Sequence, residues 1–247
     1  MLFRSVSSLE GINPLMKFMT FRKFTDKFNP DAIFSWSFFT NPFVLSGHRN
    51  IFTGSLRNSY ASCMKSSGFL RCRLALMPNR LIVNSSTIKD ELVGMGVSES
   101  KIRPIFNIFE PTFTNNALPF PDKSGLRRQW NIPDDAVVIC GAGRNSPTKD
   151  FPFFLDSVEE AIKNSPAGLK LHALVIGSGG TAMQPEVEKR GLSKFFTITG
   201  EIKDAKNLMP CADIFFLSSS DEGMPNVMLE ADDANLTVIA RKRVVAD

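Results

Sequence analysis

The feature that most constrains the fold is a regular alternation of short apolar runs with stretches of helical periodicity, which begins at residue 136. Continuous apolar runs of this length are typical of strands that are buried on both faces of a parallel sheet. Strands that alternate with helices predict a doubly wound parallel sheet, which binds ligands beyond the carboxyl ends of its strands. The predicted strands are 136–143, 169–177, 195–200, 213–220 and 236–242, and the predicted helices are 151–165, 181–191, 205–212 and 224–233.

A similar but less complete pattern precedes residue 110, without an opening strand and glycine-rich turn. Its predicted strands are 31–38, 50–55, 80–86 and 101–107, and its helices lie within 10–28, 60–76 and 86–95.

Between the two patterns, residues 107–135 contain four prolines and two adjacent asparagines, which indicate a linker. The fold prediction is therefore α/β, with two Rossmann-like doubly wound parallel-sheet domains. The first domain is incomplete and covers 1–109, the linker covers 110–135, and the second domain covers 136–247 without its last elements. We expect the chain to be incomplete at both ends.

Composition excludes several classes of protein. Apolar residues make up 43% and charged residues 22% of the chain, so it is neither disordered nor a coiled coil. No apolar run reaches about 18 residues, and Glu10 interrupts any signal-peptide core. The four cysteines contain no CxxC pair, which predicts a reduced, cytosolic protein with buried thiols.

The net charge of +4 is unevenly distributed, because residues 1–120 carry +7 and residues 121–247 carry −3. The basic half either faces an anionic partner, such as a membrane surface, a phosphorylated lipid or a nucleic acid, or carries ordinary surface lysines. Composition does not separate these interpretations.

The strongest chemical signal is the segment SSSDEGMPNVMLEA, where a predicted strand passes into a helix. Gly223 lets a ligand approach the backbone, and Pro225 suits the first helical turn. The unpaired N–H groups and the helix dipole predict an anion site. Glu230 follows Gly223 by seven residues, which places it on the same helix face about 10 Å along the axis, near the span from a diphosphate to its ribose. The alternative is that Glu222 and Glu230 are only a dipole-stabilising acid and a surface acid.

A second signal, GAGRNSPTKDF, follows the first strand of the second domain. In a doubly wound sheet the first and fourth strands are neighbours, so this loop and the loop at Glu222 open onto one cleft. Arg144 and Lys149 would there neutralise a diphosphate leaving group. Taken singly, each is better explained as a surface charge, whereas the pair in this place favours a functional role.

Three segments together resemble glycosyltransferase family 4, the retaining GT-B enzymes of glycosyl transferases group 1. They are GRNSPTKDF, TGEIKDAKNLMPCADIFFLSSSDEGMPNVMLEA and VNSSTIKDELVGMGVSESKIRPIFN. The resemblance covers roughly residues 80–240 and, more weakly, residues 25–60. It implies that Arg144 and Lys149 hold the donor diphosphate, that Glu222 meets the donor sugar, and that Glu230 meets the ribose.

The resemblance also implies that the GMPNV backbone cradles phosphate and sugar, and that Ile202 contacts the base. It places a glycine-rich turn at Gly177, whose GxGxxA pattern follows the second strand of the domain rather than the first and so argues against a dinucleotide site. The GMPNV residues are Gly223, Met224, Pro225, Asn226 and Val227.

The sequence departs from the family pattern in three places. The first domain has no glycine-rich loop, Phe34 stands where a histidine is expected, and DDANLTV follows Glu230 where the pattern is MACGLPV. Trp36 and Phe38 either line an acceptor cleft or pack in the core, and the core interpretation is favoured.

The function predicted is a retaining glycosyltransferase, with Glu222, Arg144 and Lys149 as catalytic residues. It moves a sugar from a UDP- or GDP-linked donor to a glycan or lipid-linked acceptor in polysaccharide biosynthesis. No DxD sequence is present, so no metal is expected. The predicted location is cytoplasmic, with peripheral contact to the inner membrane face as a further hypothesis and no nucleic-acid partner. The alternatives are a catalytically incompetent donor-binding or interaction remnant, and a nucleotide-sugar epimerase on the same fold.

Overall fold

The computed structural model describes residues 13–46, 51–114 and 119–241. The chain divides into two compact units, the first ending at Phe106 and the second beginning at Asn107. Three predicted elements extend beyond the described residues, namely those within 10–28, 50–55 and 236–242.

The first unit consists of a parallel sheet and α-helices, as its sequence pattern predicts. Its strands are β1 (Ala32–Phe34), β2 (Ile51–Leu56), β3 (Arg80–Val83) and β4 (Ile102–Pro104). Its helices are α1 (Pro14–Phe28), α2 (Tyr60–Ser67), α3 (Phe69–Ala75) and α4 (Ser86–Gly94), with 3-10 segments at Phe38–Ser46 and Glu99–Lys101. The strand order is β1-β2-β3-β4, and each strand pairs in parallel with the next.

A buried asparagine fixes the end of β2. Asn41 is completely buried, and its amide oxygen accepts a hydrogen bond from the Ser55 N–H (3.2 Å) while its amide nitrogen donates to the carbonyls of Ser55 (3.2 Å) and Ala75 (3.1 Å). A Cβ atom at Gly54 would lie 2.7 Å from the Asn41 amide carbon, so this bridge needs glycine at that position. The 3-10 segment, β2 and α3 are thereby held together.

The N-terminus of α2 is closed by a carboxylate from α4. Glu91 accepts hydrogen bonds from the N–H groups of Tyr60 (2.7 Å) and Ala61 (3.0 Å), and the Ser59 hydroxyl accepts one from the Ser62 N–H (3.1 Å). The positive end of this helix dipole is therefore satisfied within the protein.

The second unit is built on a larger sheet. Its strands are β5 (Ala136–Ala142), β6 (Lys170–Ile176), β7 (Phe196–Gly200), β8 (Ile214–Leu217) and β9 (Thr237–Ala240). Its helices are α5 (Lys123–Gln129), α6 (Phe151–Lys163), α7 (Ser178–Lys189) and α8 (Asn226–Asp233). Shorter 3-10 segments lie at Pro147–Lys149, Ser193–Phe195 and Ala205–Cys211.

The strand order of the second unit is β7-β6-β5-β8-β9, with every pair parallel. This order reverses direction between β5 and β8, which are hydrogen-bonded neighbours. The doubly wound sheet and the adjacency of its first and fourth strands are therefore confirmed. The loops that follow β5 and β8 leave the same edge of the sheet, where such folds bind ligands.

Alternating residues of the central strands pack into cores on opposite faces of this sheet. Leu174 of β6 and Phe215 of β8 belong to one core. Val175 of β6 belongs to the other core, together with Phe154 of α6, and all four residues are completely buried. The first unit has a separate core, so each unit buries its own apolar residues.

Part of the stretch predicted as a linker is a structured element of the second unit, because 123–129 form α5. Arg127 is 5% exposed and donates to the Asp213 carboxylate (2.8 Å) and to the Cys211 carbonyl (2.9 Å). Lys123 also pairs with Asp213 (2.6 Å), which in turn accepts from the Val138 N–H (2.7 Å). Burial raises the pKa of Asp213, but Lys123 and the other partners outweigh it and leave that pKa below its usual value.

Trp36 and Phe38, the two aromatic residues that follow β1, differ in burial. Phe38 is buried in the core of the first unit, as favoured from the sequence, whereas Trp36 is 66% exposed and the core interpretation is wrong for it. The prediction of buried thiols is confirmed, since all four cysteines are buried. These are Cys63, Cys72, Cys140 and Cys211.

Candidate functional site

The loops that follow β5 and β8 are joined by hydrogen bonds at the carboxyl edge of the second sheet. The Ser220 N–H donates to the Thr148 carbonyl (2.8 Å), and the Ser218 hydroxyl donates to the Lys149 carbonyl (2.8 Å). The backbone around Lys149 is therefore held against the end of β8. The predicted meeting of the two motif loops is present in the structure.

Lys149 and Glu222, one from each loop, form an ion pair. The Lys149 ammonium lies 2.7 Å from the Glu222 carboxylate, and the two side chains are 23% and 18% exposed. The Ser219 hydroxyl also donates to Glu222 (3.1 Å). Lys149, which was predicted to hold the diphosphate, and Glu222, which was predicted to meet the sugar, therefore neutralise each other's charge in the structure.

Arg144 stands apart from this pair. It is exposed in the loop after β5, and its side chain has no ion pair or hydrogen bond to any residue that the structure describes. The neighbouring Asn145 N–H is held by the Ser178 hydroxyl (3.2 Å). The structure therefore does not bring Arg144 into contact with Lys149 or Glu222, but leaves its guanidinium exposed at the same edge of the sheet.

A cluster of glycines brings the loop after β6 against the loop after β5. Gly177 has a φ of +101°, and a Cβ atom there would lie 2.5 Å from the Gly143 carbonyl oxygen. Its N–H donates to the Gly200 carbonyl (2.8 Å), and the Gly179 N–H donates to the Gly143 carbonyl (3.1 Å). Gly177 is thus required for close backbone packing, which is a structural reason for the glycine-rich turn.

The helix that follows Glu222 begins later than the sequence argument assumes. α8 starts at Asn226, with Pro225 as the preceding cap residue, so Gly223 and Met224 lie in the loop. The prediction that Gly223 and Glu230 lie on one face of a helix is therefore wrong. Proline cannot donate a helical hydrogen bond, and it disfavours helical geometry at the residue before it.

Within α8, Glu230 lies one turn after Asn226, about 6 Å along the axis, so both occupy one helix face. No side chain of the described residues caps this helix start. Val227 is partly buried against the core, whereas Asn226 is exposed. The first turn of α8 therefore keeps backbone N–H groups available beside Glu222 in the chain.

Asn107, at the start of the second unit, was not predicted as a site residue. Its amide nitrogen donates to the Met224 carbonyl (2.8 Å) and to the Asn226 amide oxygen (2.6 Å). It thereby fixes the loop that leads into α8. The sequence signal was weak, since a single asparagine ended a predicted strand.

Glu230 is half-buried and lies within electrostatic range of two lysines. Burial raises the pKa of its carboxyl above the usual value, while the nearby charges of Lys206 and Lys149 oppose that shift. Among the described residues its side-chain carboxylate has no hydrogen-bond or ion-pair partner. A carboxylate in this state can accept hydrogen bonds from a bound ligand. Ile202, in the loop after β7, packs partly buried against the same core.

Two further residues that the sequence analysis missed support the site. Asp150, the residue after Lys149, caps α6 in a left-handed conformation (φ 48°). Arg241 pairs with its carboxylate (2.5 Å), donates to the Ser218 carbonyl (3.3 Å) and lies over the Phe153 ring, 3.9 Å from its centroid. Arg241 thus joins the end of β9 to both motif loops. Its position near the end of the predicted strand 236–242 gave no signal.

Asp233, at the end of α8, anchors a second part of the chain. Its carboxylate, 3% exposed, accepts hydrogen bonds from the N–H groups of Thr112 (2.7 Å), Phe113 (3.2 Å) and Thr114 (3.0 Å) and from the Thr114 hydroxyl (2.9 Å). Burial raises its pKa, but these bonds outweigh burial and leave the pKa below its ordinary value. The aspartate therefore stands as an ion where the family pattern has apolar residues.

The described residues contain no cluster of three or more His, Cys, Asp or Glu side chains that could hold a metal ion. They also contain no helix that is long and apolar enough to cross a membrane.

Comparison with known proteins gives a consistent result. Residues 135–246 match the family model of "Glycosyl transferases group 1". The chain is 21% identical over 173 residues to the capsular polysaccharide biosynthesis glycosyltransferase CapH of Staphylococcus aureus. It is 24% identical over 177 residues to the D-inositol 3-phosphate glycosyltransferase of Saccharomonospora viridis. These alignments cover 69% and 66% of the chain.

Among solved structures, HepE of Anabaena in complex with UDP-glucose superposes with a TM-score of 0.72 at 17% identity, over 94% of the chain. The predicted GT-B fold and the resemblance to glycosyl transferases group 1 are thereby confirmed, and family 4 stays a prediction. The chain spans 45% and 40% of the two curated relatives and 66% of HepE.

Proposed function

We propose that the second unit is the donor site of a retaining glycosyltransferase, which moves a sugar from a UDP- or GDP-linked donor to a glycan or lipid-linked acceptor. The observation that carries this proposal is the Lys149–Glu222 pair at the β5–β8 switch point, in a unit that matches glycosyl transferases group 1. The capsular polysaccharide function of CapH and the UDP-glucose bound to HepE support this choice of donor and product.

In this proposal the donor replaces the internal ion pair. The diphosphate takes the Lys149 ammonium and draws in the exposed Arg144 guanidinium, so that both cations stabilise the negative charge that develops on the leaving group. Glu222 is released from Lys149 and accepts hydrogen bonds from the donor sugar. The leaving diphosphate oxygen takes the acceptor proton on the face from which it departs, which retains the configuration.

The remaining proposed contacts lie along α8 and beside it. The half-buried Glu230 carboxylate, which has no hydrogen-bond partner among the described residues, accepts hydrogen bonds from the ribose hydroxyls. The backbone from Gly223 to Val227 cradles phosphate and sugar, since the start of α8 is not capped by a side chain. Gly177 keeps the neighbouring loop close, and Ile202 contacts the base.

The first prediction tests the exchange of partners at Lys149. Calorimetric titration of UDP, GDP, ADP and their sugar conjugates should show saturable binding to one base. Lys149→Ala should weaken it at least about tenfold, because a charge-assisted contact is lost. Glu222→Ala should leave nucleoside diphosphate affinity unchanged or tighter, since Lys149 is freed, but weaken the sugar conjugate about tenfold.

Glu230→Gln should weaken both ligands, because the ribose is common to them. Lys163→Ala, at an exposed lysine of α6, is the matched control and should bind like the unaltered chain. A folded sample without nucleotide affinity, or equal loss of both ligands in Glu222→Ala, would contradict the proposed roles. Product analysis then separates transfer to an acceptor from epimerisation of the free sugar and from binding alone.

We further propose that the protein acts in the cytoplasm, with the basic first unit touching the inner face of an anionic membrane. Residues 1–120, which include the first unit, carry a net charge of +7, and this supports attraction to such a surface. Flotation with vesicles that contain anionic lipid should recover more protein than flotation with neutral vesicles. Equal recovery would remove the physical basis of this location.

A further inference from the structure

A cavity of about 160 Å³ lies in the first unit, beside the end of β2. Its lining includes Ser55, Arg57 and Asn58 from β2 and the loop that follows, Ser62 from α2, and the ring of Phe38. This volume is about ten times what a single buried water needs. The cavity therefore has room for a small ligand group.

Ser55 is the residue that marks this cavity as a binding site. It is 4% exposed, and within the described part of the chain its hydroxyl has no hydrogen-bond partner. Its backbone is held on both sides by Asn41, so the residue is fixed in place. A buried hydroxyl without a partner is unfavourable, so this one calls for a partner from outside the chain.

The charges around the cavity indicate the chemistry of that partner. The lining supplies donors, namely the Arg57 guanidinium, the Asn58 amide and the hydroxyls of Ser55 and Ser62, and it contains no carboxylate. Arg57 lies over the exposed Trp36 ring, 5.4 Å from its centroid, and has no ion-pair partner among the described residues.

The sequence around the cavity is also positively charged. Residues 32–89 contain seven lysines and arginines and no aspartate or glutamate. A phosphate group carries negative charge and only acceptor oxygens, and it therefore matches a basic lining rich in donors. The dipole of α2 is not part of this site, because Glu91 already occupies the N-terminus of that helix.

We propose that this cavity binds a phosphate ester, with Ser55, Arg57 and Asn58 as its donors. If the proposed glycosyl transfer is right, this phosphate belongs to the acceptor. That role rests on the proposed function, whereas the binding site itself does not.

The test is a titration of the full chain with glycerol 3-phosphate and with glucose 1-phosphate, and with phosphatidylcholine vesicles with and without phosphatidic acid. Each titration is repeated in Lys149→Ala, so that phosphate binding in the second unit is recognised. Ser55→Ala and Arg57→Gln should each weaken binding about tenfold. Arg80→Ala, at the amino end of β3, is the matched control and should not.

Ser55→Ala also reports on folding. It removes a buried hydroxyl that lacks a partner among the described residues, so it should unfold at a urea concentration no lower than the unaltered chain. Weaker phosphate binding in this variant is then a property of the cavity.

The outcomes are distinct. If the soluble esters bind and Ser55→Ala abolishes that binding, the cavity is supported and its ligand is a free phosphate ester. If only phosphatidic acid vesicles bind, and the same variant abolishes that binding, the cavity is supported and its ligand is a lipid phosphate. No binding in either arm, or equal loss in Arg80→Ala, overturns it. Titration of UDP into the same variants separates the two proposals. UDP binding without phosphate ester binding refutes only the cavity, whereas phosphate ester binding without UDP binding refutes only the donor site.

Discussion

At Asp233 one carboxylate holds three consecutive residues of the segment that opens the second unit. The backbone N–H groups of Thr112, Phe113 and Thr114 all point to it, and the Thr114 hydroxyl adds a fourth donor. Buried N–H groups that lose their acceptor are costly, so the stability of this segment depends on a single side chain. The donors all favour the ionised form.

Asp233→Asn should therefore lower the free energy of unfolding by about 2–3 kcal/mol at pH 7, measured by urea denaturation. Because the folded pKa lies below the unfolded value of about 3.9, the advantage of the aspartate is complete above that value and disappears as the pH falls through the folded pKa. The two curves should converge in acid. Asp232→Asn, at the exposed neighbouring residue, is the control, and an equal effect of both changes would contradict the anchor.

Local patterns pointed to Lys149 and Glu222 as candidate site residues but did not predict their contact. The segments around Lys149 and Glu222 stood out because glycine, proline and charge occur together at a strand-to-helix junction. The ion pair between Lys149 and Glu222 was not predictable, and neither were the contacts of Arg241 and Asp233. Each of these depends on positions that lie far apart in the sequence. No local propensity encodes such distances.

At the level of elements, alternating strands and helices predicted the sheet well, since parallel strands buried on both faces leave long apolar runs. The ends of elements were less predictable. α8 begins at Asn226 rather than at 224, and the predicted helix 205–212 is a 3-10 segment with Pro210 inside it. Proline accounts for both differences, because it removes a backbone donor.

The packing of the loops after β5 and β6 gives a prediction with a matched control. Gly177→Ala should destabilise the chain by more than about 2 kcal/mol, because its Cβ would meet the Gly143 carbonyl oxygen at 2.5 Å in addition to the cost of a positive φ. Gly191→Ala, also at positive φ (+69°) but with nothing within 4 Å, should cost only about 1 kcal/mol. Similar costs in urea unfolding would mean that the two loops do not pack as described.

On the scale of the whole molecule, the two units have separate cores and each contains one tryptophan. Trp130 packs partly buried against the core of the second unit, and Trp36 lies in the first. The Trp36→Phe variant therefore has a single tryptophan, whose selectively excited fluorescence reports on the second unit.

In that variant, nucleoside diphosphate at about 100 times its dissociation constant should raise the unfolding free energy followed by Trp130 by about 2.7 kcal/mol. A second change, Lys149→Ala, should reduce the shift to about 1.4 kcal/mol or less at the same ligand concentration, because the affinity falls at least about tenfold. A shift that stays at about 2.7 kcal/mol after this change would place the nucleotide elsewhere.

The buried cysteines provide a way to measure how often each unit of the molecule opens. Each unit contains two of them, Cys63 and Cys72 in the first and Cys140 and Cys211 in the second, and burial raises the pKa of Cys211 to about 11. A buried, protonated thiol does not react with an alkylating reagent until the surrounding structure opens. Mass spectrometry of alkylated peptides can therefore record the opening rate of each unit separately, with the native side chains as the only labels.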